Sequence, residues 1–403
     1  MYQVEPPHDQ LLVILSDIEM GMGGPIDDFP HDGFLAELLG AYSQPRYAGK
    51  RVDLIFNGDT FDLLKTPHDG AYPHHISGAI ALRKFDAVAA AHPLFFKAVR
   101  DFLDYPRGAR SVSFIVGNHD YALVFPEVQE RLKALCGGSD AVRFPGFRMD
   151  VGDVHIEHGC QVDPLFRIDE LRPFVFLDGE SCLNLPWASV TILDVVMPMQ
   201  HLFCALDRIK PKKYLFEVIP DMKELLLGSF WRYWTKDFLR EYMRSADPLK
   251  KVTWGMFKEV FKRSTIFSPD LQIDHSVYDN MASSERYKIH VLGHMHEPCI
   301  WSYGTRRVLQ TGCIRDEFML EAAGKRLEAI PKSYAHVALL NGRAVGSMLL
   351  ETHCSTQTRD TFPPLPQTFI PTIRDLLGSM ADRVRSRRDI EEHEKEETET
   401  IDS

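Results

Sequence analysis

The 403-residue chain has seven cysteines, widely spaced and without a single CxxC pair. That excludes a zinc ribbon, and the odd count argues against a disulfide framework; free thiols in a reducing compartment fit better. Long apolar runs are missing as well. The most apolar stretch, residues 190–206, is interrupted by Asp194, Pro198, Gln200 and His201. It falls short of the ~20 apolar residues that a membrane-spanning helix needs. The chain enters its first apolar run, residues 11–15, through polar residues, and no signal peptide is read there. No internal repeat is present either. A globular, cytoplasmic chain is expected, and 44% hydrophobic with 26% charged residues can bury a sizeable core. Positive charge is outweighed: the formal net charge is −11, and residues 389–403 hold eight acidic residues against Lys395 alone. Such a run reads as a solvated tail.

What is present is organised around short apolar runs at residues 11–15, 52–56, 113–116, 154–157 and 289–292. Each is too short for a typical helix and has the composition of a buried strand. Between the second and third, Ile80, Leu82, Phe85, Val88, Leu94, Phe95, Val99 and Phe102 recur at mixed three- and four-residue spacings, a helical pattern. Strands alternating with helices predict an α/β sheet whose ligands sit at the carboxyl ends of the strands. After the five runs come Asp17-Ile18-Glu19, Gly58-Asp59-Thr60-Phe61-Asp62, Gly117-Asn118-His119-Asp120, His158-Gly159 and Gly293-His294-Met295-His296. Five strands thus end in side chains able to hold a metal, all expected on one sheet edge.

Residues 308–309, 336–340 and 344–350 read as closing strands, the last two joined by Asn341-Gly342, a strong hairpin signal. The framework therefore runs over residues 10–164 and 288–351. Residues 165–287 between them read as a helical cap insertion, with Leu227, Trp231, Trp234, Phe238 and Tyr242 at helical spacing beside a stripe of Arg232, Lys236, Arg240 and Arg244. Residues 352–403 read as a Pro-rich and then acidic tail, largely disordered, with one helix near residues 373–385.

Splitting a phosphoester in water needs a nucleophile that is strong at neutral pH, and positive charge where the phosphoryl oxygens gather negative charge. Two divalent metals about 3.5–4 Å apart supply both. Such a pair takes a mixture of carboxylates, imidazoles and an amide oxygen, which suits Mn, Fe, Zn or similar ions. The five strand ends offer that mixture.

These motifs, in this order, resemble the calcineurin-like metallophosphoesterases, whose pattern is DxH, GDxxD, GNHD or GNHE, a later His, and GHxH. The resemblance covers about residues 10–165 and 288–350. It implies a four-layer αββα sandwich with a large helical insertion after His158. It also implies that Asp17 and His296 bind one metal, that Asp59 bridges two, and that Asn118, His158 and His294 bind the second. His119 would donate a proton to the leaving oxygen or contact the phosphoryl group, Asp120 would orient its imidazole, and Asp62 would fix a ligand or a loop from behind. The implied activity is hydrolysis of a phosphomonoester, phosphodiester or pyrophosphate by metal-bound hydroxide.

One position departs from the pattern: Glu19 stands where the family has the histidine of DxH. A carboxylate can ligate in place of an imidazole, adding negative charge and favouring harder ions such as Mn²⁺ over Zn²⁺, with Fe and Mg²⁺ also compatible. In the contrary reading Glu19 points elsewhere, the first site is weak, and the chain is a binding protein that kept the fold and lost turnover.

Outside the motifs, His68, His74 and His75 in the loop after GDxxD, and Arg83 on the first helix, are candidates for substrate contact, set against solvated loop histidines and a surface ion pair. His155 alternates along a strand and reads as structural; Cys160 and Cys313 read as small buried thiols. Residues 205–265 hold fourteen Lys plus Arg against eight Asp plus Glu, interleaved with aromatics. That suits a lid over a phosphorylated amphiphile, or peripheral contact with the inner face of an anionic membrane. Single-stranded nucleic acid would accept the same mixture, which keeps a nuclease reading open. A self-contained core with a solvated face accounts for it equally. The layout is similar to that of the UDP-2,3-diacylglucosamine hydrolase group, in which a helical insertion between the later His and GHxH covers a lipid. Here the insertion is much longer, and Gly117-Asn118-His119-Asp120 keeps a histidine that this group commonly replaces with arginine.

Overall fold

The computed structural model describes residues 6–177, 179–200, 206–211, 275–321 and 326–358, with isolated positions between 214 and 259. The aromatic and basic stripes of residues 227–244, the helix near 373–385 and the acidic tail lie outside the described residues. In chain order the first part comprises β1 (Gln10–Leu15), α1 (Asp32–Gly40), β2 (Arg51–Asn57), α2 (Gly78–Ala91), α3 (Pro93–Leu103), β3 (Arg110–Ile115), α4 (Pro126–Leu135), β4 (Val142–Gly146), β5 (Arg148–Val151) and β6 (Val154–Glu157). Next come β7 (Phe174–Leu177), β8 (Glu180–Leu183), α5 (Trp187–Thr191), β9 (Ile209–Lys210) and α6 (His275–Ser283). The closing part holds β10 (Ile289–Leu292), β11 (Cys299–Tyr303), β12 (Arg306–Gln310), β13 (Phe318–Leu320), β14 (Leu327–Ala329), β15 (Lys332–Leu340) and β16 (Arg343–Thr352).

Two sheets carry the framework. One has the order β16-β15-β1-β2-β3-β4 and the other β11-β12-β10-β6-β5. Alternate residues of the central strands face different layers. Leu11, Val13 and Leu15 of β1 join Val52, Leu54, Phe56, Val112 and Phe114 against the helices, among them Leu35, Phe85, Phe95 and Leu132. Leu12 and Ile14, with Ile55 and Ile115, turn the other way and meet Val154, Ile156, Ile289 and Val291 of the second sheet. Strands buried on both faces read as continuous apolar runs rather than as alternating ones, which is what made them legible. Burying each such side chain stabilises the fold by roughly 1.5–3 kcal/mol. On the far face of the second sheet, Tyr278 of α6 packs on Leu292 and Val308 and stacks on Trp301 at 3.9 Å. The layers are therefore helix, sheet, sheet, helix, the αββα sandwich expected. No described helix is long and apolar enough to cross a membrane.

Two local expectations are corrected. The five ligand-bearing strands do not share one sheet edge: β1, β2 and β3 lie in the first sheet and β6 and β10 in the second. The helical pattern of residues 80–102 is two helices, because Pro93 has no N–H to continue α2 and instead takes the first turn of α3. His92 sits at the break, with Nδ1 2.5 Å from Asp32 and Nε2 2.9 Å from Asp27. The closing hairpin is as expected: β15 and β16 pair antiparallel across Asn341 and Gly342, which take φ of 52° and 73°.

Candidate metal centre

Register brings the ligands level. β1, β2 and β3 are parallel, with Leu15 beside Phe56 and Phe56 beside Phe114. Asp17, Asp59 and Asn118 follow within four residues. In the second sheet Ile156 lies beside Val291, so His158 and His294 emerge together. The backbone then turns sharply. Asp17 (φ 54°), Glu19 (51°), Asp59 (51°), His294 (71°) and His296 (56°) are five of the seven non-glycine residues with positive φ among the described residues. Each such conformation costs on the order of 1–3 kcal/mol and persists only where its surroundings enforce it. Here a clasp of main-chain bonds does so: the N–H groups of Ile18 and Glu19 both donate to Asp59 O, at 2.9 and 2.8 Å, and those of Ile314 and Arg315 to Asp17 O, at 3.1 and 3.0 Å. Gly58 is needed at its place, since it has φ +78° and a Cβ there would lie 2.5 Å from the His158 ring.

One donor set gathers around His158. Its Nδ1 donates to Asn57 O at 2.9 Å, which assigns the tautomer and leaves Nε2 3.1 Å from Asp59 Oδ2 and 3.3 Å from Asn118 Oδ1. His294 places its Nε2 3.5 Å from Asp163 Oδ2. Asp59, His158 and His294 present donor atoms within 4.8 Å of one another. Burial alone would lower the His158 imidazole, but Asp59 and Asp17 carry it up to about 10. Burial likewise raises the Asp59 carboxyl, while His158 and His119 bring it well below the usual carboxylate range. Carboxylates that draw a proton onto His158 would draw a divalent cation in its place.

The second donor set gathers around His296. Its Nδ1 is 2.9 Å from Glu317 Oε1, and its Nε2 faces Asp17 Oδ1 at 3.2 Å and Glu19 Oε1 at 3.5 Å. Glu19 therefore turns towards His296 rather than away from the candidate donors. Its two oxygens also accept from Arg315 Nη1, at 3.0 and 3.1 Å, and Oε2 lies 3.1 Å from Lys65 Nζ. Burial works to raise the Glu19 carboxyl, and Arg315 and Lys65 hold it well below its usual value. Both sets suit divalent ions by donor type: a carboxylate, an amide oxygen and two imidazoles on one side, two carboxylates and an imidazole on the other.

Asp120 does not orient His119. Its oxygens accept from the main-chain N–H of Gly117 at 2.7 Å and of Thr60 at 2.8 Å, tying two strand-end loops together. Burial and the neighbouring Asp59 push its carboxyl up to about 7. The partner of His119 is Asp62, whose Oδ1 lies 3.0 Å from Nδ1. Burial lowers the His119 imidazole, but Glu19, Asp62 and Asp59 carry it up to about 10. The loop candidates are engaged elsewhere: His74 pairs with Asp194 at 2.8 Å and His75 with Asp247 at 2.9 Å, both acids of the insertion, and His68 lies 3.5 Å from Asp69. Arg83 is exposed on α2, and its neighbour Lys84 is the buried cation. His155 pairs with Asp150 at 2.6 Å, and Cys160 and Cys313 are buried.

Several site residues had no motif to announce them. Arg315, Lys65, Glu317 and Asp163 are single charges that only the tertiary fold brings to the ligands. Residues 209–210 also contribute: β9 pairs with β13, and its Lys210 Nζ lies 2.8 Å from Glu317 Oε2. Beside Asn118 and His119 is a small cavity of about 10 Å³, room for about one water, lined by Leu63, Leu64, Ile76, Tyr121, Leu183 and Leu185 together with Lys84.

The strand framework is the one that the resemblance to calcineurin-like metallophosphoesterases implies. No protein-family profile matches the sequence, and no curated protein matches it. Among solved structures the chain is similar to a dimetal phosphatase from Danio rerio, 10% identical over 86% of this chain and 99% of that one, TM-score 0.33. It is also similar to an archaeal phosphodiesterase, 9% identical over 84% and 99%, TM-score 0.29. A third is the phosphopantetheinyl hydrolase of Mycobacterium tuberculosis, 12% identical over 80% and 96%, TM-score 0.26. At these identities and TM-scores the likenesses carry no weight for substrate or mechanism.

Proposed function

We propose that this chain hydrolyses phosphoester or pyrophosphate bonds at a pair of divalent metal ions. The observation that carries the reading is the left-handed backbone at Asp17, Glu19, Asp59, His294 and His296. Five strained L-residues gathered at facing strand ends, each presenting a carboxylate or imidazole, have no structural need that Gly or Asn would not serve better. In this reading Asp17, Glu19 and His296 hold one ion, Asn118, His158 and His294 the other, and Asp59 is shared. The ions, when bound, would activate water at neutral pH and offset charge on the phosphoryl oxygens. His119, held at Nδ1 by Asp62, keeps Nε2 for the leaving oxygen, and transfer of that proton lets the alcohol or phosphate depart neutralised. Three carboxylates in the set favour Mn²⁺.

The basic, aromatic stripe of residues 227–244, on which an amphiphile, membrane or nuclease reading rests, is outside the described residues. The six described cysteines are all free, which fits a reducing, cytoplasmic setting. The position of Glu19 among the ligands counts against an impaired binding protein.

The test is hydrolysis of a generic phosphodiester and a generic phosphomonoester by metal-stripped protein, with Mn²⁺, Mg²⁺ or Zn²⁺ restored. Turnover should return with metal in the wild type and stay absent in Asp59→Asn. Equal turnover in both proteins would overturn the assignment.

A further inference from the structure

Glu19 is the one ligand position at which this chain departs from the pattern it resembles, and it is also where the site carries a buried guanidinium. Arg315 Nη1 lies 3.0 and 3.1 Å from the two Glu19 oxygens. Its Nε and Nη2 each lie 3.2 Å from Glu317 Oε1, the oxygen that also takes His296 Nδ1 at 2.9 Å. One side chain thus braces two members of the donor set around His296, Glu19 directly and His296 through Glu317. The Arg315 side chain is 8% exposed, and a guanidinium does not give up its proton in a protein.

We propose that Arg315 is the positioning residue that makes a carboxylate workable at position 19: the Glu19–Arg315 pair takes the electrostatic place of a neutral imidazole while keeping a hard oxygen donor. This rests on the dinuclear reading above. Asp17, Glu19 and Asp59 would together place three negative charges on the first metal. With Arg315 included, the set carries two, as it would with a histidine at 19. Lys65 Nζ lies 3.1 Å from Glu19 but is shared with Asp28 at 2.6 Å and Asp62 at 2.9 Å, so it is already balanced by other acids. Arg315 is shared as well, with Glu317 at 3.2 Å, Asp207 at 3.4 Å and Asp28 at 3.5 Å, but its two shortest carboxylate contacts are both to Glu19. Removing the carboxylate while leaving the guanidinium strands a buried positive charge beside an incoming cation, which disfavours both. Removing both restores the charge balance and leaves a softer donor, which shifts preference from Mn²⁺ towards Zn²⁺.

The experiment is calorimetric titration of metal-stripped full-length protein with Mn²⁺ and with Zn²⁺, with circular dichroism of each variant as the check on folding. Wild type should take up two equivalents. Glu19→His alone should lose at least about tenfold in affinity for one of them. Glu19→His/Arg315→Met should recover to within about threefold of wild type, with the Mn²⁺-to-Zn²⁺ preference moved towards Zn²⁺. If the double variant does not fold, Glu19→His/Arg315→Gln, which keeps a donor towards Glu317, takes its place. A folded Glu19→His that binds both equivalents like wild type, or a double variant no better than the single, overturns this proposal alone. A wild type that binds fewer than two equivalents overturns the dinuclear reading and this proposal with it.

Discussion

Gly117 is where a single methyl group would do most damage to the centre. A Cβ built on it would stand 2.2 Å from Asp59 Oδ1 and 2.5 Å from the Asp59 main-chain nitrogen. Ordinary contacts begin near 3.4 Å, so in Gly117→Ala the shared carboxylate and its backbone must retreat by about 1 Å. Asp59 cannot do so alone: Oδ1 accepts the main-chain N–H of His119 at 2.7 Å, and Oδ2 lies 3.1 Å from His158. Overpacking of this kind typically costs about 1–3 kcal/mol of stability. A 1 Å displacement of reacting groups costs on the order of 100-fold in rate, equivalent to about 2.7 kcal/mol in the barrier. The variant should therefore fold, melt a few degrees lower, and turn over about 100-fold more slowly. Gly33→Ala in α1 is the control, since nothing lies within 4 Å of its added methyl; its activity should be unchanged and its stability within about 1 kcal/mol of wild type. Metal-dependent hydrolysis of bis(p-nitrophenyl) phosphate, with melting followed by circular dichroism, measures both. A Gly117→Ala protein whose kcat stays within threefold of wild type would show that the position of Asp59 does not govern the chemistry.

Two further outcomes follow from side chains away from the shared carboxylate. Asp62→Asn removes the carboxylate that holds His119 Nδ1, so kcat should fall about 10–100-fold on an alkyl phosphoester, whose leaving group needs a proton. On a p-nitrophenyl ester, whose leaving group does not, the fall should be small; equal losses on both would show that His119 is not the proton donor. His92 offers a test of stability against pH. Burial lowers its imidazole, but hydrogen bonds with Asp27 and Asp32 raise it to about 9, above the ordinary 6.5. The charged form favours the fold, so its contribution is complete below about pH 6.5 and is lost as pH rises towards 9, amounting to roughly 3 kcal/mol at the low end. The unfolding free-energy difference between wild type and His92→Gln should shrink from pH 6 to pH 9.5. A difference that does not vary with pH would refute the pairing.

The parts of the fold that were readable from sequence are those whose physics is local. β1 is apolar on both faces because it is sandwiched, and β2, β3, β6 and β10 each turn apolar residues to the seam between the sheets, so they stand out as short apolar runs followed by candidate ligands. Asn341-Gly342 marks its hairpin because both residues need positive φ. What was not readable depends on direction or on distance along the chain. Nothing in the composition of β6 or β10 says that they leave the sheet of β1. The family resemblance made Asp120 the expected partner of His119, yet its side chain turns to the Gly117 and Thr60 amides while Asp62 reaches the ring from another strand end. Arg83 and Lys84 differ by one residue, which on a helix is about 100° of rotation, and that decides which is exposed and which is buried. Arg315 lies 296 residues from Glu19 in sequence. Only the crossing of the two sheets makes it a partner.

The same crossing explains how so much strain is carried in so small a volume. Five left-handed residues at about 1–3 kcal/mol each would together rival the 5–15 kcal/mol by which whole domains are usually stable. The strain is bearable because none of these residues is free to relax singly. Asp17 O accepts from Ile314 and Arg315, Asp59 O accepts from Ile18 and Glu19, and Gly293 N donates to His158 O at 2.7 Å, so every turn is closed by another strand end. Asn57 adds the link between layers, donating from Nδ2 to Glu157 O and accepting the His158 ring at its own carbonyl. To release one ligand is to open the seam between both sheets. A centre built this way resists the loss of any single ligand's geometry, and for the same reason it is sensitive to a methyl group at Gly117 or to an unmatched charge at Arg315.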